Sequence, residues 1–174
     1  LRLEVTPDVG PVVLEGLLLG LIIQSGNDAT VALAEHIAGS EETFAALMNR
    51  HAEEIGLTGS HFVNSTGLPD EKHYMTARDI ARLGALTIEQ YPEYYKWYSQ
   101  KEFTYNDITQ RNRNALLWRD STVDGVKTGM TEAAGYCLVA SAIFANMSLT
   151  LPTTVRRAHS ALNRFFSIIS SVRL

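Results

Sequence analysis

Apolar residues crowd positions 12–23, interrupted only by Glu15, Gly16 and Gly20, and over 14–23 this density predicts a buried helix. Ser25-Gly26-Asn27 then predicts a turn, and Asp28 predicts the cap of a second helix over 29–38. Ser40-Glu41-Glu42-Thr43 puts carboxylates where a helix start favours them. Phe44, Leu47, Met48 and Ile55 follow at helical spacing until Gly56 stops the run. Residues 59–72 are rich in Gly, Asn, Ser, Pro and Asp and predict irregular surface chain, with Thr66-Gly67-Leu68-Pro69 as a turn. Thr76 caps a further helix whose apolar positions are Ile80, Leu83, Leu86 and Ile88, and Tyr91-Pro92 ends it.

The second half changes period. Phe103 and Tyr105 alternate with polar residues over 101–107, as in a half-exposed strand, and Asn112-Arg113-Asn114 forms a polar connection. Asp124-Gly125 is a turn signal directly before Val126-Lys127-Thr128-Gly129, and 136–144 is a strongly apolar strand, so the two predict a hairpin-like pair. Asn146 turns the chain into 147–151, and 154–169 predicts a closing helix with Val155, Ala158, Leu162 and Phe165/Phe166 inward. Helices followed by strands and a final helix argue for an α+β fold, an antiparallel β-sheet flanked by helices. No repeat, low-complexity segment or linker is visible, which makes residues 1–174 one domain.

A length of 174 residues with 45% hydrophobic composition buries a core of ordinary size. The net charge of -4, with both signs interspersed, gives no footprint for nucleic acid and points to a small polar substrate. Neither 12–23 nor 135–145 reaches the roughly 20 apolar residues of a membrane span. Cys137 is the only cysteine, which excludes an intrachain disulfide and a C-x-x-C metal or redox site. His36, His51, His61, His73 and His159 lack any paired ligand spacing, so no metal and no cofactor is expected. The chain opens at Leu1 without a methionine or a signal pattern, and the expectation is that it begins in mid-protein.

Two short motifs carry chemistry. Ser25-Gly26-Asn27 and Lys127-Thr128-Gly129 are two of the three elements of the penicillin-recognising serine enzymes, and the third, Ser-x-x-Lys, is absent. Taken singly, the first is an interhelical turn and the second the end of an exposed strand with a solvated lysine. Together and in this order they fit acyl transfer, which needs a nucleophile, a proton carrier, oxyanion donors and a grip on the substrate. A Ser25 hydroxyl facing the Lys127 ammonium relays a proton, and Asn27 holds a substrate amide through both its donor and its acceptor. Thr128 and Lys127 offer a hydroxyl and a cation to a carboxylate. Gly129 leaves the strand edge bare for a peptide backbone, and the Met130 N–H is an oxyanion donor.

The runs Gly20-Leu21-Ile22-Ile23-Gln24-Ser25-Gly26-Asn27-Asp28-Ala29, Thr76-Ala77-Arg78-Asp79, Asn112-Arg113-Asn114-Ala115-Leu116-Leu117-Trp118 and Val123-Asp124-Gly125-Val126-Lys127-Thr128-Gly129-Met130-Thr131 closely resemble the D-alanyl-D-alanine carboxypeptidases. These are the low-molecular-mass penicillin-binding proteins of bacterial cell walls, peptidase family S11, with a β-lactamase/transpeptidase-like fold. The resemblance implies a periplasmic hydrolase, peripheral to the inner membrane through a C-terminal anchor. Such an enzyme removes the terminal D-alanine of peptidoglycan pentapeptides through an acyl-serine intermediate, without a cofactor, and is acylated by β-lactams. It assigns Ser25, Asn27 and Lys127 to catalysis and Thr128, Gly129 and Met130 to substrate binding. Arg113 matches the family arginine for the substrate carboxylate, a residue that composition alone reads as a surface ion-pair partner. Thr66 and Leu68 fall on the family's cleft-bordering loop.

The sequence departs from the family in three places. The nucleophilic serine and its lysine are expected before Leu1, Met130 stands where close relatives commonly have histidine, and 147–152 is shorter than the family's strand and loop. The 174 residues include no β-rich C-terminal domain of the kind the family carries, and 165–174 reads as a packed terminal helix or a membrane-lying segment. A β-lactamase, a D,D-endopeptidase and a non-catalytic peptidoglycan- or β-lactam-binding module share the same motifs. The absence of a carboxylate clearly placed to activate water favours the peptidase.

Overall fold

A computed structural model describes residues 2–3, 12–144 and 147–155. Strands β1 (Arg2–Leu3) and β2 (Val12–Val13) pair antiparallel ahead of helix α1 (Leu14–Leu19). The expected first helix is present, but its second half, Gly20–Gln24, widens to a π-helix. Helix α2 (Asn27–Ala38) starts earlier than its sequence suggests. Gly26 is its N-cap and Asp28 lies inside the first turn, its carboxylate accepting the Ala29 N–H at 2.9 Å. Helix α3 (Glu41–Glu54) begins as expected, with Ser40 Oγ accepting the Thr43 N–H at 3.1 Å. Helix α4 (Ala77–Gln90) is capped by Thr76 in the same way, its hydroxyl accepting the Asp79 N–H at 3.2 Å.

On α4 the apolar periodicity misleads at one position. Leu83 is exposed, while Asp79 and Gly84 are buried. Asp79 is drawn inward because its Oδ2 accepts the Gly59 N–H at 2.8 Å and the Ser60 hydroxyl at 2.7 Å, tying the irregular segment 59–72 to the helix. These hydrogen bonds, that of Ser60 foremost, hold the Asp79 carboxyl below its ordinary range against the opposing effect of burial.

A short helix α5 (Pro92–Tyr95) and a 3-10 turn (Lys96–Ser99) follow. The half-exposed strand expected over 101–107 is one arm of a hairpin, β3 (Glu102–Tyr105) with β4 (Ile108–Arg111). Asn106 and Asp107 both take left-handed dihedrals in the two-residue turn between them, the conformation for which Asn and Asp are favoured. Helix α6 (Leu116–Arg119) leads into the main sheet, β5 (Val123–Thr131), β6 (Gly135–Phe144) and β7 (Met147–Val155), antiparallel in that order. The expected pairing of 126–129 with 136–144 is present. Asp124-Gly125, however, is not a turn, for both residues belong to β5 at a register shift between Val123 and Gly125. Thr154 and Val155, expected to open a helix, continue β7, and the rest of that expected helix lies outside the described residues.

Helix α4 packs against β6 and β7, and the 3-10 turn lies against β5. The core sits between these layers. Leu19, Ile22 and Ile23 pack with Trp97, Tyr98 and Phe103, while Leu17 and Leu33 join α1 to α2. Ile23 is fully buried, worth about 1.5–3 kcal/mol for a side chain of its size. It fixes the end of the π-helical turn two residues before Ser25. The fold is α+β, an antiparallel sheet flanked by helices.

Candidate active site

Ser25 leaves the π-helical turn in the left-handed conformation, φ 62° and ψ 43°. For a residue with a Cβ this conformation costs on the order of 1–2 kcal/mol. It is held by two backbone bonds, Ser25 N–H to Leu21 O at 3.1 Å and Gly26 N–H to Gly20 O at 3.2 Å. Gly26 has little room for a side chain, since a Cβ there would stand 3.1 Å from Asp28 Oδ1. Buried Thr30 donates its hydroxyl to Gly26 O at 2.8 Å, which clamps the start of α2 beneath Asn27.

Lys127 projects from β5, and its Nζ donates to Ser25 Oγ, joining residues 102 positions apart in the chain. A second Nζ hydrogen bond goes to Thr128 O at 3.1 Å. Burial, reinforced by the Arg113 guanidinium, pushes the Lys127 ammonium down to about 8. Both causes penalise the charged form of a lysine. A lysine of that acidity holds its proton at neutral pH yet releases it readily, as a proton carrier must.

Arg113 owes its position to its two neighbours. Asn112 and Asn114 are buried, and Arg113 between them is exposed. Asn112 Nδ2 donates to Gln100 O at 2.9 Å while its Oδ1 accepts the Asn114 N–H at 2.9 Å. Asn114 Nδ2 donates to Gly125 O at 3.0 Å, so the loop that carries Arg113 is fastened to the strand that carries Lys127. Below that junction Ser141 Oγ donates to Asp124 Oδ1 at 2.6 Å and is hydrogen-bonded to the Tyr95 hydroxyl. Burial holds the Tyr95 phenol far above its usual range.

One cleft of about 840 Å³ brings together all nine residues singled out in the sequence: Ser25, Asn27, Thr66, Leu68, Arg113, Lys127, Thr128, Gly129 and Met130. Among the described residues two cations and no carboxylate line it, which suits an anionic ligand. The far wall is the loop Thr66–Gly67–Leu68. It is tied down by Glu41, whose Oε1 accepts the Ser65 N–H at 3.0 Å and the Ser65 hydroxyl at 2.6 Å. The Ser65 hydroxyl in particular keeps that carboxyl below its ordinary range. Asn64 Oδ1 accepts the Gly67 N–H at 2.7 Å, and Asn64 Nδ2 donates to Leu68 O at 3.0 Å.

Sequence reasoning missed Tyr136, Cys137 and Leu138, which also line the cleft. The signal was available in the hairpin, whose register sets them opposite Met130, Gly129 and Thr128. It also missed Asn112 and Asn114, whose contribution is to hold Arg113. Among the described residues no group of three metal-binding side chains occurs, and no helix is long and apolar enough to cross a membrane.

The geometry can be compared with known proteins. Residues 7–154 match the model of the D-alanyl-D-alanine carboxypeptidase family, peptidase S11. The chain is 52% identical over 128 residues to D-alanyl-D-alanine carboxypeptidase DacA of Haemophilus influenzae, covering 73% of this chain and 33% of that protein. It is 52% identical over 131 residues to D-alanyl-D-alanine carboxypeptidase DacC of Escherichia coli, covering 75% and 33%. The fold superposes on penicillin binding protein 5 from Haemophilus influenzae with a TM-score of 0.85 and 44% identity, covering 92% of this chain and 47% of that one. The chain thus spans about one third of the length of the curated relatives it matches. With the family's motifs meeting in one cleft and its model matched from residue 7 to 154, the chain belongs to the D-alanyl-D-alanine carboxypeptidase family.

Proposed function

We propose that this chain supplies the substrate grip and the proton relay of a serine-type D-Ala-D-Ala carboxypeptidase acting on peptidoglycan pentapeptides outside the bacterial cytoplasm, and that β-lactams acylate that enzyme. The observation that carries the reading is the contact of Lys127 Nζ with Ser25 Oγ, inside a cleft that also holds Arg113 and the bare edge of β5. The substrate lies extended along β5, its terminal carboxylate on Arg113, Lys127 and the Thr128 hydroxyl, and its amide on Asn27. The attacking serine gives its proton to the lysine of its own Ser-x-x-Lys element as it adds to the penultimate carbonyl; the carbonyl C–N bond then breaks to leave an acyl-serine and free D-alanine, whose amine takes a proton from the Ser25 hydroxyl while Lys127 reprotonates Ser25. The Met130 N–H donates to the oxyanion. Water then hydrolyses the ester.

The attacking serine belongs to a Ser-x-x-Lys element, which the 174 residues do not contain; in this reading a segment outside them provides it. Periplasmic residence, with peripheral attachment to the inner membrane, follows from the same reading, as does a single catalytic domain. Among the described residues the cleft is lined by two cations and no carboxylate, which favours a peptidase trapped by penicillins over a β-lactamase, an enzyme that needs an efficient base for the deacylating water.

The test is equilibrium binding of N-acetyl-D-alanyl-D-alanine and its C-terminal amide to this chain and to Arg113→Ala. A charge-assisted hydrogen bond contributes about 1.5–3 kcal/mol, so the free acid binds roughly ten- to a hundredfold tighter than the amide, and Arg113→Ala removes most of that margin. Equal affinity for acid and amide in the unmodified chain rules the reading out.

A further inference from the structure

Lys127 differs in its setting from the other lysines of the chain. Lys72, Lys96 and Lys101 are exposed, whereas Lys127 is drawn partly into the cleft. Burial and the Arg113 guanidinium both disfavour its ammonium form, which brings the group down to about 8. At pH 8 about half of such a lysine is free amine, against roughly 0.3% of one at the ordinary 10.5. A desolvated lysine beside a second cation is the arrangement that turns an amine into a nucleophile toward carbonyl carbon.

The surroundings supply the other parts of an amine–carbonyl condensation. Arg113 lines the same cleft and its charge is felt at Lys127, so a carboxylate seated on the guanidinium brings an adjoining carbonyl group to the amine. Among the described residues no carboxylate of the cleft competes for that guanidinium. Ser25 Oγ is hydrogen-bonded to Lys127 Nζ, and a hydroxyl so placed passes a proton from nitrogen to oxygen while a C–N bond forms. Nucleophile, anion handle and proton conduit thus come from three separate elements, the strand β5, the loop before α6 and the turn before α2.

We infer that Lys127 is an imine-forming amine and that the cleft captures 2-oxo acids, small carbonyl compounds whose carboxylate adjoins the reacting carbon. The Nζ lone pair adds to the carbonyl carbon, and the carbonyl oxygen gains the proton that Nζ gives up, by way of the Ser25 hydroxyl. The hydroxyl of this carbinolamine then leaves as water with the second nitrogen proton, and a C=N bond remains. No oxidant or reductant takes part, and water reverses the step. A neutral imine has no N–H to offer Ser25 and no charge to offer a second carboxylate, so a 2-oxo acid blocks the cleft reversibly. The inference goes beyond the peptidase reading and does not depend on it, for it needs only the amine, the guanidinium and the cleft they share.

The experiment incubates the 174-residue chain at pH 8 with glyoxylate, or with acetaldehyde, which has the same two carbons and no carboxylate. Cyanoborohydride fixes each imine, and peptide mapping by mass spectrometry locates the carboxymethyl or ethyl group. Glyoxylate modifies Lys127 at least about tenfold more than Lys72, Lys96 or Lys101, a margin that the larger free-amine fraction and the anion handle supply together. The α-amine of the chain, ordinarily near 8, reports what basicity alone supplies, and Lys127 outpaces it with glyoxylate but not with acetaldehyde. Arg113 is exposed, so Arg113→Gln leaves folding intact, as circular dichroism checks. That variant loses about tenfold in glyoxylate labelling at Lys127, and its acetaldehyde labelling stays within about threefold because burial is the larger cause of the lowered basicity. Labelling of Lys127 no faster than of the exposed lysines overturns the site, and so does an Arg113→Gln variant that loses both labels alike. Selective glyoxylate labelling in a chain that binds no dipeptide acid leaves the imine site standing and removes the peptidase reading, while dipeptide binding without selective labelling does the reverse.

Discussion

Lys127 concentrates the chemistry of this molecule in a single side chain, and its setting makes that chemistry measurable through pH. Burial and the Arg113 cation push its ammonium down to about 8 from an ordinary 10.5. Below pH 8 the group is charged and, in the proposed reading, supports a bound carboxylate. As pH rises through 8 that charge is lost, so affinity for N-acetyl-D-alanyl-D-alanine falls there and not near 10.5. Titrating the dissociation constant across pH 6.5–9.5 reads this directly, and Lys127→Ala abolishes the step. Stability moves the other way. Between 8 and 10.5 the unfolded chain retains a lysine proton that the folded chain has given up, so this residue makes the fold more stable as pH rises through that window. Ser25 and Lys127 were legible from the two motifs, and Arg113 only through the family resemblance of the run 112–118. That Ser25 faces Lys127 was expected only from the two motifs taken together, since no local signal says that positions 102 apart in the chain touch.

Elements were legible where capping and periodicity agreed, and obscured where a tertiary contact overrode them. Ser40 and Thr76 cap their helices as the sequence suggests, whereas Asp28 does not, because Gly26 already occupies the cap. Asp124-Gly125 is the instructive failure. Its composition signals a turn, yet the glycine serves β5 by its lack of a side chain. A Cβ at Gly125 would collide with the Tyr95 hydroxyl and stand 3.1 Å from Ser141 Oγ. Gly125→Ala therefore destabilises the domain by about 1–3 kcal/mol through overpacking, seen as a lower urea midpoint. Adding Tyr95→Phe, which removes the colliding oxygen, recovers part of the loss, whereas purely additive losses in the double variant would show that the strand itself demands glycine. Helix α5 and strand β4 left weaker traces, the first in Pro92 at a helix start and the second in an Asn-Asp pair at a hairpin tip.

At the scale of the whole molecule, the helical half contributes Ser25 and Asn27, the segment 59–72 contributes Leu68, and the sheet half contributes Lys127 through Met130. The layer order was readable from the change of period at about residue 100, while the cleft between the layers depends on packing that periodicity does not encode. In the proposed reading the chain carries a grip and a relay, and its sequence holds no serine followed at the third position by lysine. Incubated with a fluorescent penicillin, it forms no covalent adduct, and intact-mass spectrometry shows the unmodified chain; an adduct on Ser25 would make that residue the nucleophile. The bare side of β5 has a consequence in solution. Among the described residues β5 bonds to a strand on one side only, and an unpaired strand edge is a template on which any extended chain, including another copy, can assemble. The groups that would welcome a peptide thus also invite self-association, and Lys127, a charge set into that edge, works against it. If a short peptide is held along β5 as proposed, occupancy of the cleft and colloidal stability are coupled, and the peptide acts at once as ligand and as protective cover.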